Sequence, residues 1–391
     1  MLMFPYRPAK RVHKRKALQL GRIASLFLAL PLAHTAYAAD QWAISANDGH
    51  TTTNPAGKMI TAETIVPDNL SLIRFDQGRP ILGKSTTLPT SVEGPPTTAW
   101  IAPDSSWAII TAGSRAGLHP GDPVIEDDIV SIVTIDKAAP HLVQTVHAGL
   151  GASQISVSPD QNWALVGNRK SGTVSVFSIK NKKLSLTQTI SMGEKSNPAS
   201  VLFLPDGQHA VVVLRGPHQL ALLRNTGQGF QVDTKRLDLG RAPNTMDRTR
   251  SGLIAIGDQD AAHPAVHLVA HTNGALNLLS TTAVASSPEP LRFSPDGRYL
   301  AVGAVNNSNK DPSKHGTLTL YRVDGKALTP LATENVGRWP QGIIFSPNGH
   351  TLLVQNTTDK TMTVLQWDGM KLHATGTLAM PAGPAAAATS W

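Results

Sequence analysis

The sequence contains no cysteine, and beyond residue 38 it has neither a long apolar run nor a helical pattern of apolar residues. The lack of cysteine excludes disulfides, thiolate metal sites and a haem attached through a C-x-x-C-H motif. No stretch after residue 38 approaches the roughly 20 apolar residues of a membrane-spanning helix. Short β-branched and apolar runs alternate instead with clusters of Gly, Pro, Asn and Asp, which is typical of strands joined by hairpin turns. We therefore expect an all-β fold.

The first 38 residues differ in composition from the rest of the chain. They carry seven basic side chains and no acidic one, with an apolar run at 23–32 and the sequence Ala-Tyr-Ala at 36–38. A basic region, a short apolar region and an A-x-A site are together typical of a secretory signal peptide. We expect cleavage near Ala38 and a periplasmic or secreted protein spanning residues 39–391. A retained membrane anchor is the alternative.

Most of the excess positive charge lies in that first segment. The chain holds 35 Lys and Arg against 27 Asp and Glu, and seven of the basic residues but none of the acidic ones precede residue 39. The remainder therefore carries a net charge of about +1. A strongly basic domain would favour nucleic acid as a partner. This near balance of charges argues against such a partner.

A repeat of 44 to 56 residues accounts for the rest of the chain. In each copy a leading residue, Pro in all copies except the one that begins at Ala152, is followed seven positions later by the Pro position of a turn similar to Ser-Pro-Asp-Gly, and then by an apolar strand. The turn positions of the seven copies are Pro103, Pro159, Pro205, Arg250, Pro295, Pro347 and Trp391. Four strands are predicted in the sixth copy, at 290–294, 299–305, 316–323 and 327–336. Four antiparallel strands repeated seven times predict a seven-bladed β-propeller.

The two ends of the chain predict how the ring closes. The last copy stops at Trp391, where its turn is due, so that it lacks a second strand. Residues 41–44, Gln-Trp-Ala-Ile, match the start of the second strand in other copies, such as Asn-Trp-Ala-Leu at 162–165. We therefore predict that the N-terminal and C-terminal strands pair within one blade, which leaves no long sheet edge exposed.

These repeats resemble the YVTN-type and lactonase-like β-propellers of exported bacterial proteins. The resemblance is carried by the P-x(6)-P-D-G unit and by strand endings such as Ala-Leu-Val-Gly-Asn at 164–168 and Leu-Leu-Val-Gln-Asn at 352–356. It covers essentially all of residues 39–391. It implies a propeller whose enzymatic relatives place His, Arg and Glu around the mouth of the central channel.

The first strand of each copy supplies the side chains expected to line the channel. Its first positions hold Thr97, Ser153, Ala199, Asn244, Glu289, Gln341 and Ala385, with no His among them. Three positions further along, only Asp247 and Arg292 are charged. We interpret this pair first as an ion pair between adjacent blades and otherwise as an acid beside an anion-binding arginine. Asp247, Arg292 and Glu289 are the candidate catalytic residues.

The connections between strands four and one, and between strands two and three, are expected to share one face of the propeller. Their sequences vary from copy to copy, whereas the Pro-Asp-Gly turns of the opposite face are uniform. Binding residues concentrate on variable loops of a rigid scaffold. The candidate ligand-binding residues are Arg169, Arg215, Asp258, His263, Arg338, Trp339 and Gln341.

No metal site or other cofactor is predicted. His263, His267 and His271 recur every four residues, but this spacing spans about 13 Å along a strand, too far for one Zn²⁺. Asp122 and the acids at 126–128, in the longest insertion, offer oxygen ligands for a structural Ca²⁺ but match no calcium-loop register. A solvated acidic loop is the favoured interpretation.

Two functions follow from these observations. The first is a monomeric binding or scaffold protein that recognises a protein, a glycan or a small anion on the variable loop face, because the scaffold is regular and carries no catalytic motif. The alternative is a lactonase- or isomerase-like enzyme that acts at the channel mouth.

Overall fold

The computed structural model describes residues 41–391, so the predicted signal peptide lies outside the described residues. Strands β1 to β30, numbered in chain order, form seven four-stranded antiparallel sheets and one two-stranded hairpin. Within residues 41–391, no helix has the length and apolar character that a membrane span requires.

Each four-stranded sheet is one blade, and its strands A to D run outward from the channel. From A to D, blade 1 contains β30 (Gly383–Thr389), β1 (Ala43–Asp48), β4 (Asn69–Asp76) and β5 (Arg79–Thr87), and blade 2 contains β6 (Ala99–Ile101), β7 (Trp107–Arg115), β8 (Ile125–Asp136) and β9 (Ala139–His147). Blade 3 contains β10 (Ala152–Val157), β11 (Trp163–Asn168), β12 (Thr173–Lys180) and β13 (Lys183–Ser191), blade 4 contains β14 (Pro198–Phe203), β15 (His209–Leu214), β16 (Gln219–Asn225) and β17 (Phe230–Asp238), and blade 5 contains β18 (Pro243–Arg248), β19 (Ile254–Asp258), β20 (Ala265–Thr272) and β21 (Ala275–Ala283). Blade 6 contains β22 (Pro288–Phe293), β23 (Tyr299–Ala304), β24 (Gly316–Asp324) and β25 (Ala327–Val336), and blade 7 contains β26 (Pro340–Phe345), β27 (Thr351–Asn356), β28 (Thr361–Trp367) and β29 (Leu372–Ala379). The hairpin consists of β2 (Thr51–Thr53) and β3 (Met59–Thr61).

The predicted seven-bladed propeller is confirmed. The strands of blade 6 begin and end within two residues of their predicted bounds. The insertion of blade 2, predicted at 113–128, is shorter than expected because β7 extends to Arg115 and β8 begins at Ile125. These two strands continue to pair beyond a bulge near Gly113.

The ring closes through the two ends of the chain, as predicted. Strands β30 and β1 pair antiparallel, with Ala43 opposite Thr389. The innermost strand of each blade also contacts the innermost strands of both neighbouring blades. Every sheet therefore has a neighbour on each face, and the apolar faces are covered all the way around the channel.

Apolar side chains packed between successive blades form the core. Between blades 3 and 4, Val176 and Val212 are fully buried beside Phe230. The Phe230 ring meets Trp163 edge-on at a centroid distance of 5.7 Å. Burying a side chain of this size stabilises a fold by about 1.5–3 kcal/mol. Packing of this kind replaces the disulfides that the sequence cannot form.

The A–B turns define one face of the propeller, which we call the turn face. The carboxylates of Asp160, Asp206 and Asp296 each accept a hydrogen bond from the backbone N–H two residues later, at 2.9–3.1 Å. Gly207 and Gly297 adopt φ values of 64° and 72°, which glycine tolerates best. The C–D hairpins end on this face as well. The D–A and B–C connections lie on the opposite face, the loop face.

The hairpin β2–β3 extends from blade 1 across the loop face. On one side, the Thr61 N–H donates to the Asp122 carbonyl oxygen in blade 2 at 2.7 Å. On the other side, the Thr53 hydroxyl donates to the Asn309 carbonyl oxygen in blade 6. Between these contacts, Met59 packs against a buried cluster formed by Val92, Trp339 and Ala385. The hairpin therefore links the loops of blades 2 and 6 across blades 1 and 7.

Candidate functional site

Polar side chains converge at the loop-face end of the channel. Glu289 and Gln341 are the second residues of β22 and β26, and Glu289 is half-buried whereas Gln341 is fully buried. The Glu289 Oε2 atom accepts a hydrogen bond from Gln259 Nε2 at 2.8 Å. The Gln341 amide also favours the ionised form of this carboxylate and lowers its pKa. Strand A of two blades and a B–C turn thus meet at one carboxylate.

Two arginines approach this carboxylate from neighbouring B–C turns. Arg169 and Arg215 directly follow β11 and β15. Arg215 Nη1 donates to Gln259 Oε1 at 2.9 Å, and Arg169 Nη1 donates to Asn244 Oδ1 at 3.4 Å. Both guanidinium charges act on Glu289. The hydrogen bonds that hold the two arginines therefore go to neutral acceptors.

Two further carboxylates, Glu93 and Glu126, interact electrostatically with Arg169. Glu93 lies in the linker between blades 1 and 2, and Glu126 lies on β8. Gly94 permits the close approach of this linker, because its φ is +102° and a Cβ there would lie 2.3 Å from Ser153 Oγ. We call the whole group the mouth cluster; it comprises Glu93, Glu126, Arg169, Arg215, Asn244, Gln259, Glu289 and Gln341.

Burial shifts the pKa values in the mouth cluster towards neutral forms. It raises the pKa of Glu289 above its usual value, although Arg215 and Arg169 oppose the shift. It also raises the pKa of Glu93, and repulsion from Glu126 adds to this effect. Burial lowers the pKa values of both arginines, which stay protonated at neutral pH. The site therefore combines acid–base groups with positive charge for a developing anion.

Asp258, a predicted ligand-binding residue, is buried beneath the loop of blade 5. It is 2% exposed, and its oxygens accept hydrogen bonds from the backbone N–H groups of Arg241, Ala242 and Asp260. Burial opposes its ionisation, but these bonds and one with His267 lower the pKa of Asp258 to about 2. Asp258 thus holds the loop in shape and has no free oxygen for a ligand.

His263, Arg338 and Trp339 also lie outside the mouth cluster. His263 is exposed, with Nδ1 3.4 Å from Asp260 Oδ2. Arg338 Nε pairs with Asp359 Oδ1 at 2.7 Å. Trp339 is 7% exposed and packs under the hairpin β2–β3. Of the seven predicted ligand-binding residues, the structure therefore brings together Arg169, Arg215 and Gln341.

A cavity of about 270 Å³ opens beside the hairpin β2–β3. Thr52 and Glu63 line it from the hairpin and the residues that follow, and Trp339, Thr357 and Lys360 line it from the side of blade 7. An aromatic wall with hydroxyl and charged groups suits a small polar ligand.

The catalytic candidates Asp247 and Arg292 lie at the turn-face end of the channel, 3.7 Å apart. Asp247 Oδ2 accepts a hydrogen bond from the Phe293 N–H at 2.8 Å, and Arg292 Nη2 donates to the Ala387 carbonyl oxygen at 2.9 Å. The pair therefore joins the innermost strands of blades 5, 6 and 1. Glu289 precedes Arg292 by three residues on an extended strand, roughly 10 Å, so the three catalytic candidates do not form one site.

The four acids considered for Ca²⁺ point to different partners. Glu126 joins the mouth cluster, and the others lie beside Arg115 (Asp127, 3.9 Å), His147 (Asp128, 2.8 Å) and the backbone N–H of His119 (Asp122, 2.9 Å). The three evenly spaced histidines also have separate partners: His263 lies beside Asp260, His267 beside Asp258, and His271 beside His209.

Sequence reasoning missed Glu93 and Gln259. The repeat register could have identified Gln259, because Arg169, Arg215 and Gln259 each directly follow strand B, in blades 3, 4 and 5. Neighbouring residues of a strand point to opposite faces, which turns Asp258, one residue earlier, away from the channel mouth. Glu93 lies in a linker outside the repeat, and no sequence pattern marks it.

The sequence profile of a family described as "Lactonase, 7-bladed beta-propeller" matches residues 128–229 and 275–386, more than half of the chain. Similar solved structures include a putative 6-phosphogluconolactonase from Bacteroides fragilis, with TM-score 0.70, 16% identity and coverage of 90% of this chain and 99% of that one. The periplasmic gluconolactonase PpgL of Pseudomonas aeruginosa has TM-score 0.70 and 18% identity, and covers 89% of this chain and 98% of its own. At these identities the likeness shows the fold alone. A comparison with curated protein sequences finds no match.

Proposed function

Because the chain belongs to the lactonase family of seven-bladed β-propellers, we propose that it hydrolyses a lactone at the mouth cluster. The observation that supports this is the convergence of Glu289, a carboxylate with a raised pKa, on Arg169 and Arg215. The sequence alone ranks a binding module first. We place the enzyme ahead of the binding module because Arg169 and Arg215 converge on the acid Glu289.

The proposed chemistry uses groups already in place. Glu289 takes a proton from the attacking water, and its raised pKa brings the base closer to neutral pH, where proton transfer is most effective. The oxygen of the lactone carbonyl gains negative charge as the tetrahedral intermediate forms, and Arg169 and Arg215 stabilise it. When the ring C–O bond breaks, Glu93 in its protonated form supplies a proton to the departing alkoxide. The product is the open-chain hydroxy acid.

The lining of the mouth cluster favours a polyhydroxylated lactone. Asn244, Gln259 and Gln341 offer amide donors and acceptors, which suit the hydroxyl groups of a sugar acid. The structural neighbours described as gluconolactonase and 6-phosphogluconolactonase support the same substrate class. Net charge in the cluster is close to balanced, which suits an uncharged sugar lactone.

Proton release from glucono-δ-lactone, corrected for spontaneous hydrolysis, tests this proposal. We expect Glu289→Gln to lower kcat by a factor of about 10²–10⁴, the usual contribution of a positioned base. Glu194→Gln is the matched control, since Glu194 is exposed on the same face. Turnover that is equal in wild type and Glu289→Gln, or absent across a panel of sugar lactones, would overturn the proposal.

Recognition without chemistry is the second candidate, and the 270 Å³ cavity beside the hairpin β2–β3 favours it. In that case a small polar ligand occupies the space between Trp339 and Lys360. Binding of sugar acids that is weakened by Lys360→Ala, without any lactone turnover, would support this reading. Lys326→Ala, on the C–D hairpin of blade 6, is the control.

We further propose that the protein acts in the periplasm or outside the cell. The basic, apolar and A-x-A regions of residues 1–38 support this placement. N-terminal sequencing of the exported protein should begin at Ala39. A mature chain that begins at Met1 would contradict it.

A further inference from the structure

Three side chains on the turn face form a cluster that the lactone chemistry does not use. Asp206 lies in the A–B turn of blade 4, His209 begins β15, and His271 is next to the last residue of β20 in blade 5. One potential ligand atom from each lies within 4.8 Å of the other two. We propose that Asp206, His209 and His271 bind a divalent transition metal, with Zn²⁺ as the best match, and that the ion clamps blades 4 and 5 together.

The turn itself orients the carboxylate of Asp206. Its Oδ1 accepts hydrogen bonds from the backbone N–H groups of Gln208 and His209, at 2.9 and 3.0 Å. The other oxygen, Oδ2, accepts neither of these backbone bonds and lies 2.8 Å from Nδ1 of His209. Zn–N and Zn–O bonds of about 2.0–2.2 Å place the ligand atoms of a tetrahedral site roughly 3.3 Å apart. A small side-chain rotation of the exposed Asp206 would lengthen the distance between its Oδ2 and His209 Nδ1 from 2.8 Å to about 3.3 Å.

His271 gives an independent indication of a ligand. Its Nε2 is buried and has no hydrogen-bond partner within residues 41–391. Its ring centroid lies 4.6 Å from that of His209, with an angle of 47° between the planes. A buried polar atom without a partner costs about 1–3 kcal/mol. Donation of the Nε2 lone pair to a metal would satisfy this atom.

The protonation of the ring suits the same role. Burial lowers the pKa of His271, and the adjacent His209 lowers it further. Both effects favour the neutral imidazole, which is the form that binds metals.

The chemistry of the ligand set indicates the kind of ion. Two imidazole nitrogens and one carboxylate oxygen suit Zn²⁺, whereas Ca²⁺ and Mg²⁺ prefer oxygen ligands alone. Three protein ligands leave a fourth position for water. Because two ligands come from blade 4 and one from blade 5, bound Zn²⁺ would oppose separation of these blades at the turn face.

A second group, Asp48, His50 and Asp68, looks similar, and its His50 Nε2 also lacks a partner within residues 41–391, but both of its carboxylates are already saturated. All four of its carboxylate oxygens accept backbone N–H groups. His50 Nδ1 faces Asp48 and Asp68 at 3.2 and 3.0 Å. A metal there would displace backbone hydrogen bonds, so this group serves as an internal control.

Titration of the purified, EDTA-treated protein with Zn²⁺, followed by calorimetry and by thermal unfolding, tests the proposal. We expect one ion per chain and a rise in Tm. His209→Ala and His271→Ala should each weaken binding by more than about a hundredfold, because changes outside the ligand shell alone cost 10–100-fold. Co²⁺ should produce visible d–d absorption in the wild type that both variants lose.

Matched variants keep the test decisive. His50→Gln and His263→Ala should bind Zn²⁺ like the wild type. His271→Gln replaces the alanine variant if near-UV circular dichroism shows that the latter is unfolded. The proposal fails if the wild type shows no saturable Zn²⁺ binding, or if the double variant His209→Ala/His271→Ala retains one ion per chain.

Discussion

The indole Nε1 of Trp391 donates a hydrogen bond to the carbonyl oxygen of Phe345 at 3.1 Å. Trp391 lies two residues beyond the end of β30 in blade 1, whereas Phe345 ends the innermost strand of blade 7. The same indole packs edge-on against Phe75 of blade 1, with ring centroids 5.9 Å apart. The last residue of the chain therefore ties the closing strand to its own blade and to the next.

We expect Trp391→Ala to lower the free energy of unfolding by about 2 kcal/mol, less than for a fully buried tryptophan because the side chain is only partly covered. Trp391→Phe retains an aromatic ring but removes the hydrogen bond to Phe345, and should cost about 1 kcal/mol. Urea denaturation of both variants measures the difference. An unchanged midpoint for Trp391→Ala would show that ring closure does not depend on this contact.

The fold could be predicted from the sequence because the same physical constraint recurs seven times. A proline at the start of strand A and a turn similar to Pro-Asp-Gly before strand B mark most copies, and the turn has a residue with positive φ, which is Gly207 or Gly297 in some copies and Ser105 or Gln161 in others. The incomplete copy at Trp391 then determines where the ring closes. The strands of blade 6 lie within two residues of prediction for this reason.

The candidate site was less predictable because it depends on side-chain direction and on segments outside the repeat. Arg169 and Arg215 could be identified as charged residues on the loop face, but their convergence on Glu289 follows from the curvature of the ring. Asp258 looks equivalent in sequence, yet the strand directs it inward to cap backbone N–H groups. Asp206 and His271 belong to different blades, and no spacing rule connects them.

His50 should stabilise the protein more at low pH than at high pH. Burial lowers its pKa, but the hydrogen bond with Asp68 and the charges of Asp48, Asp68 and Asp127 outweigh burial and raise it. A raised folded-state pKa gives stability that is fully present below the unfolded value near 6.5 and is lost as the pH rises through the folded value.

We therefore expect His50→Gln to reduce the free energy of unfolding by about 2 kcal/mol at pH 5.5 and by clearly less at pH 9. Urea midpoints of the wild type and the variant at the two pH values measure this. His373→Gln, exposed on β29, should show no such dependence. Equal losses at both pH values would mean that the ring acts by packing alone.

Asp258 should show the opposite dependence. Its pKa of about 2 lies below the usual 3.8, so its contribution is present above the unfolded value and is lost as the pH falls towards 2. The shift corresponds to about 2 kcal/mol. Asp258→Asn should be less stable than the wild type by this amount at pH 7, and the two should converge only as the pH falls to about 2 and below. Asp76→Asn, exposed on blade 1, is the control, and a constant difference down to pH 2 would contradict the assignment.

Gln259 connects the acid and an arginine of the mouth cluster, since its amide donates to Glu289 Oε2 at 2.8 Å and accepts from Arg215 at 2.9 Å. The bond to Glu289 favours the ionised carboxylate and lowers its pKa. Removing a bond of about 1 kcal/mol should raise that pKa by about 0.7 pH unit. If Glu289 is the base, Gln259→Leu moves the acid limb of the pH profile of kcat/KM for lactone hydrolysis upward by this amount. Gln219→Leu, at the outer part of blade 4, should leave the profile unchanged, and an unshifted limb in Gln259→Leu would exclude Glu289 as the titrating base.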